Sequence, residues 1–160
     1  MNLREGEQIM KVFHHHPTPY FFNVFKFILG FLPFFFLLFM LQDVFSVLIF
    51  YIINLAILFL FTFIVLYYSL VYWLDKMIIT NERAIYINWK TLFKRTESEA
   101  YLEDIEDIQT SEKGILSYFW LLDYGYFSLA TGATKITIVF DQAPDPEGIR
   151  QFIYHVRPSI

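Results

Sequence analysis

Apolar residues are distributed unevenly along this chain. From Val24 to Leu41 the sequence runs VFKFILGFLPFFFLLFML; after Gln42–Asp43 it resumes from Val44 to Trp73 as VFSVLIFYIINLAILFLFTFIVLYYSLVYW. As α-helices these runs would be roughly 27 Å and roughly 45 Å long, against about 30 Å for a bilayer's hydrocarbon core. The pattern predicts a transmembrane helical hairpin over 23–74, with helices at about 23–41 and 44–73 and a turn at Gln42–Asp43. Lys26 can snorkel to the interface. Pro33 inside the first run is tolerable in lipid. The surplus length of the second run falls where Tyr67, Tyr68, Tyr72 and Trp73 crowd together, as in an interfacial aromatic belt. Ser46, Asn54 and Thr62 are its polar positions, and hydrogen bonds between the two helices are their expected use. Neither run carries a deep acid or base of the kind proton relays use. The first run starts late, lacks a small-residue cleavage site and is followed at once by a second, unlike a signal peptide.

After Trp73 the period shortens to two. In DKMIITNERAIYIN an apolar run and an alternating run flank Thr80–Arg83, predicting two strands and a tight turn. Ile85, Ile87 and Trp89 share one face, and Ala84, Tyr86 and Asn88 the other. WKTLFKR reads as a hairpin loop into a strand RTESEAYL, with Ala100 and Leu102 inward. IEDIQTSE, YFSLATG and TKITIVFD read as further strands, with a helical turn at GILSYFWLLDYG and a turn around Gly132. The chain ends differently. Asp145 suits a helix N-cap, with Pro146 at the first position and Glu147 in the first turn. Ile149, Phe152, Ile153 and Val156 then recur at i, i+3, i+4, i+7, an amphipathic helix. The predicted class is membrane α+β: a two-helix hairpin, then a small barrel or curved antiparallel sheet over 75–160, closed by the C-terminal helix. Residues 1–22 read as a separate cytoplasmic segment.

Composition agrees. The chain is 56% hydrophobic and 21% aromatic, with 20 phenylalanines; its 18% of charged residues falls below the roughly 25% of soluble domains. The absence of cysteine excludes disulfides and thiolate chemistry. The net charge of −4 arises entirely beyond residue 74, and an acidic domain is a poor nucleic-acid binder. Arg4 and Lys11 precede the hairpin, Lys76 and Arg83 follow it, and the turn has no cation. The positive-inside rule then predicts a two-span protein of the cell membrane with both termini cytoplasmic.

Several pieces resemble a known family. A membrane hairpin followed by ITNERAIYI, LEDIEDIQ, YGYFSLATG and a proline-led final helix is similar to the bacterial pleckstrin-homology-like membrane proteins of the YdbS-like group. The resemblance covers nearly the whole chain. Its motif residues are Thr80, Asn81, Glu82, Arg83, Asp107 and Gly125, given structural roles. The segment Trp120–Asp123 is more aromatic than the usual form. The resemblance implies a pleckstrin-homology-like barrel on a membrane anchor and no reaction.

The candidate chemistry is sparse. Glu97, Glu99, Glu103, Asp104, Glu106 and Asp107 form the densest charge cluster. They lack calcium-loop spacing, so a solvated strand face is expected. Lys90, Lys94 and Arg95 are candidate contacts for anionic lipid, each cation worth about 1 kcal/mol at such a surface; specific phosphoinositide recognition is not expected. His14, His15 and His16 precede the first helix. Imidazoles suit a headgroup layer, with an apolar body and a wet tip, so these three and Trp73 are read as interfacial and no metal is expected. Catalytic triads, phosphate-cradling loops and HExxH are absent. The expectation is a non-enzymatic, cofactor-free interaction or scaffold module. It would dock a protein partner or assemble with itself at the bilayer. The alternative is a channel or transporter accessory subunit whose active part is the hairpin.

Overall fold

The strand that opens the sheet lies ahead of the helices. The computed structural model describes residues 3–112, 124–132 and 137–157, and the chain divides into two units. One comprises Met1–Thr18 together with Val71–Ile160; the other is Pro19–Leu70. The N-terminal segment expected to stand apart contains β1 (Ile9–His14), which pairs antiparallel with β2 (Lys76–Thr80).

The first unit holds two antiparallel sheets. β1, β2, β3 (Arg83–Thr91) and β4 (Lys94–Tyr101) form one in that order; β5 (Ile105–Glu112), β6 (Tyr124–Thr131) and β7 (Thr137–Pro144) form the other. The helical turn expected at 114–125 lies outside the described residues, apart from Tyr124 and Gly125, which open β6. One core joins the sheets. Met77, Ile79, Ala84, Tyr86, Ala100 and Leu102 from the first meet Ile108, Phe127, Leu129 and Phe140 from the second. β3 is buried on both faces: Ile85 and Ile87 join Ile78 and Trp89 in a second, smaller cluster opposite the main core.

The last helix, α3 (Pro146–Val156), packs on β5 and β6. Its predicted stripe is the buried one: Ile149 and Ile153 are fully buried, with Phe152 and Val156 against the same core. Asp145 is the N-cap, its carboxylate accepting the Gly148 N–H at 2.8 Å. It does so from a left-handed backbone, φ 45°, a conformation aspartate tolerates better than most residues. Gly125 permits the close approach of β6 to its neighbours. A Cβ there would strike the Ser111 carbonyl and the Pro146 ring.

The second unit is built from two helices, α1 (Pro17–Met40) and α2 (Val47–Leu74), which continue into the first unit at their outer ends. α1 begins earlier than the apolar run suggests because Pro17 takes the first helical position, where a missing N–H costs nothing. The connection is longer than the expected Gln42–Asp43 turn, since α2 starts at Val47 after the Ser46 carbonyl accepts the Phe50 N–H. Aromatic contacts join the helices: Phe31 meets Phe61 edge-on at 4.9 Å, and Tyr20 stacks on Tyr68 at 6.0 Å. Their hydrogen bonds lie nearer the chain's crossing points, Tyr20 to Ser69 (2.6 Å) and Asn23 to Tyr68 (2.8 Å). Asn54 and Thr62 do not bridge the helices. Each donates to the carbonyl four residues back in its own helix, Phe50 and Leu58. Large apolar side chains such as Phe59, Leu55 and Phe36 are exposed along both helices.

Candidate functional site

The motif Thr80–Arg83 is the turn between β2 and β3, and every member has a structural task. The Thr80 hydroxyl accepts the N–H groups of Glu82 (3.2 Å) and Arg83 (2.9 Å). It lies 2.9 Å from the Arg83 carbonyl, to which it donates. Asn81 reaches out of the turn to the N-terminal segment, accepting the Gln8 N–H at 2.8 Å and donating to the Gly6 carbonyl at 3.3 Å. The Glu82 carbonyl accepts the Leu102 N–H at 2.9 Å.

Arg83 is the hub. Its guanidinium donates from Nε and Nη2 to the two carboxylate oxygens of Glu7, at 2.8 and 2.9 Å, and a further N–H goes to Glu99. Glu7 and Arg83 are both buried. This bidentate fork is the strong form of a charge-assisted pair. Arg83 holds the Glu7 carboxyl down at about 2, and its own proton is held above the usual range by Glu7. Glu7 also accepts the Arg4 N–H, across a turn that Gly6 enables at φ 84°. Thus the motif turn clamps the segment that leads into β1.

The histidines sit at the other end of β1. His14 ends the strand, opposite Lys76, and is exposed. His15 is only 8% exposed, so its imidazole lacks the wet tip of a headgroup-layer residue. It lies between Phe140 (4.8 Å) and Tyr72 (5.3 Å), with Nε2 3.3 Å from Asp75. His16 stacks on Tyr124 at 5.7 Å, and its Nδ1 accepts the Thr18 N–H at 3.3 Å, capping α1. The Tyr72 hydroxyl, expected in an aromatic belt, is buried; it donates to the His16 carbonyl at 2.6 Å and lies 3.0 Å from the Gln142 amide oxygen. The His16 N–H donates to the carbonyl of Gln142 at 2.9 Å, and Gln142 has a left-handed φ of 57°. Asp75 completes the junction by accepting the Trp89 N–H at 2.5 Å. Burial, then the nearby charge of Asp75, raises the Tyr86 hydroxyl well above its ordinary range. Trp73 is about half exposed and packs edge-on against Tyr72.

The remaining expected residues disperse. Lys90, Lys94 and Arg95 surround the β3–β4 turn, with Phe93 at its apex 97% exposed. Arg95 lies 5.8 Å over the Trp89 ring and 3.8 Å from Glu97. Asp107 accepts the Gln109 side-chain N–H at 2.9 Å on the exposed face of β5. The acidic residues spread along β4 and the turn into β5. Among the described residues, no three His, Cys, Asp or Glu side chains gather as a metal site would require. The arrangement offers contact surfaces and a buried ion pair.

Sequence reasoning missed Glu7, Asp75 and Phe93. A signal existed for one: Glu7 is among the few charges before the helices, and a lone buried arginine in a turn needs an acid. No protein-family model matches the chain, and no curated protein matches it. Among solved structures, it is similar to a protein of Shewanella loihica PV-4, described as a DUF1696 family protein with a pleckstrin-homology domain. That likeness has 18% identity and a TM-score of 0.40, covering 52% of this chain and 70% of the other.

Proposed function

We propose that this protein is a membrane-anchored interaction module: a pleckstrin-homology-like β unit carried on a two-helix anchor. One observation carries the reading. Two long helices with exposed apolar side chains are inserted between β1 and β2 of a unit that otherwise buries its apolar residues in an ordinary core. Large exposed apolar surface marks a membrane or an extensive partner surface. Lengths of 24 and 28 residues match the former.

The order of four strands, three strands and a final helix supports the pleckstrin-homology-like reading. The cations that flank the hairpin in sequence support cytoplasmic termini. Asn54 and Thr62 each donate to a carbonyl of their own helix. That favours an interaction role over a channel-like one. The partner is either another protein or a second copy of this chain.

Two measurements test the proposal. Expressed in bacteria, the full-length chain should stay with the membrane fraction through an alkaline carbonate wash; release into the supernatant would refute the anchor. In detergent, native mass spectrometry should give a monomer or an open complex. A closed homo-oligomer that conducts ions in liposomes would instead establish the hairpin as the active part.

A further inference from the structure

We infer that the tip of the β3–β4 hairpin is a second membrane contact, in which Phe93 enters the headgroup layer of an anionic bilayer with Lys90, Lys94 and Arg95 around it. This rests on the proposed anchoring of the helices.

The argument begins with register. β1 ends at His14 and β2 begins at Lys76, and these two residues are paired. That edge of the sheet is therefore where the chain departs for α1, at Pro17, and returns from α2, at Leu74. β3 runs alongside β2 only as far as Ile87, which faces Lys76; it then continues, paired with β4, to Thr91. Four residues of strand extend roughly 13 Å. The hairpin tip thus overruns the same edge of the sheet. The overhang therefore lies at the end of the sheet from which the chain runs to and from the helices.

The chemistry of the tip fits such a surface. A single exposed phenylalanine is commonplace, but Phe93 stands at the apex of a tight turn with cations on both strands. Its N–H is directed to the Thr91 hydroxyl at 3.4 Å. Behind it, Trp89 is fixed by Asp75 and covered by Arg95. Glu97 partly offsets Arg95. Lys90 and Lys94 form no ion pair among the described residues, so the tip itself is positive. An apolar apex ringed by positive charge complements a layer of anionic headgroups over acyl chains.

The chain lacks cysteine, so single reporter cysteines can be read cleanly in the full-length protein. An environment-sensitive fluorophore is attached at Phe93→Cys, at Leu58→Cys within α2, or at Glu103→Cys in the β4–β5 turn. Each protein is reconstituted into phosphatidylcholine vesicles with or without phosphatidylglycerol. The label at 93 should be blue-shifted and shielded from an aqueous quencher, more strongly with phosphatidylglycerol, while the label at 103 stays accessible. Lys90→Gln and Lys94→Gln should each lower tip occupancy about fivefold. A Leu92→Cys reporter should lose its shielding when Phe93→Asp is added. Full quenching at 93 with shielding at 58 would overturn the inference and leave the anchor intact. Full quenching at 58 would overturn the anchor, and this inference with it.

Discussion

Arg83 illustrates how much can hang on one side chain. It neutralises a buried carboxylate contributed by a segment more than seventy residues away. Removing one partner of such a pair leaves the other charged and dry, at a cost of about 3–5 kcal/mol. Arg83→Met should therefore destabilise the protein by that order in denaturant melts followed by tryptophan fluorescence. Adding Glu7→Leu should restore part of the loss, which an interaction made only by the arginine stem would not allow. The pair also sets an acid limit. Glu7 has a carboxyl pKa lowered from 4.5 to about 2 in the folded chain. A depressed folded value means the stabilisation is complete above the unfolded pKa and is lost as pH falls through the folded one. Melting midpoints should drop between about pH 4.5 and about 2, and Glu7→Gln should flatten that drop. None of this was legible locally. Thr80, Asn81 and Arg83 announced a turn, but ion pairs across such sequence distances leave no periodic trace.

Secondary structure shows what local pattern can and cannot reveal. α3 was fully readable, because its cap, proline and i, i+3, i+4, i+7 stripe all lie within a dozen residues. Ile153→Ala should cost about 2–5 kcal/mol as a cavity in the core it shares with Phe140 and Met77. β2 was readable as an apolar run and β3 and β4 from alternation, although the second buried face of β3 was not. Alternation assigns residues to faces without saying what covers each face. β1 was invisible for a physical reason. It is an edge strand with only Phe13 buried, and its partner lies beyond both helices. Gly125→Ala should destabilise β6 by more than an ordinary glycine substitution, since the new methyl meets a backbone carbonyl rather than a movable side chain. Thermal melts beside Gly30→Ala, where nothing lies within 4 Å of the added carbon, provide the comparison.

For the whole molecule, the decisive fact is that the helices interrupt the β unit rather than precede it. The natural cut suggested by composition, at residue 75, removes β1 and leaves β2 as a raw edge, an aggregation hazard. It also removes Glu7, His15 and His16. A chain of residues 75–160 should therefore aggregate or fail to give a cooperative melt. Residues 3–16 joined by a short glycine-serine linker to 75–157 should be soluble and melt cooperatively. A cooperative, monomeric 75–160 would show that β1 is dispensable. The insertion also dictates a timetable. At roughly 5–20 residues per second of synthesis, β1 emerges seconds before the strand it must pair with. Until the second helix is complete, the clamp formed by Glu7 has no arginine and His15 has no aspartate. Final closure of the sheet thus reports that both helices have been made, and a ribosome stalled within α2 would hold β1 unpaired.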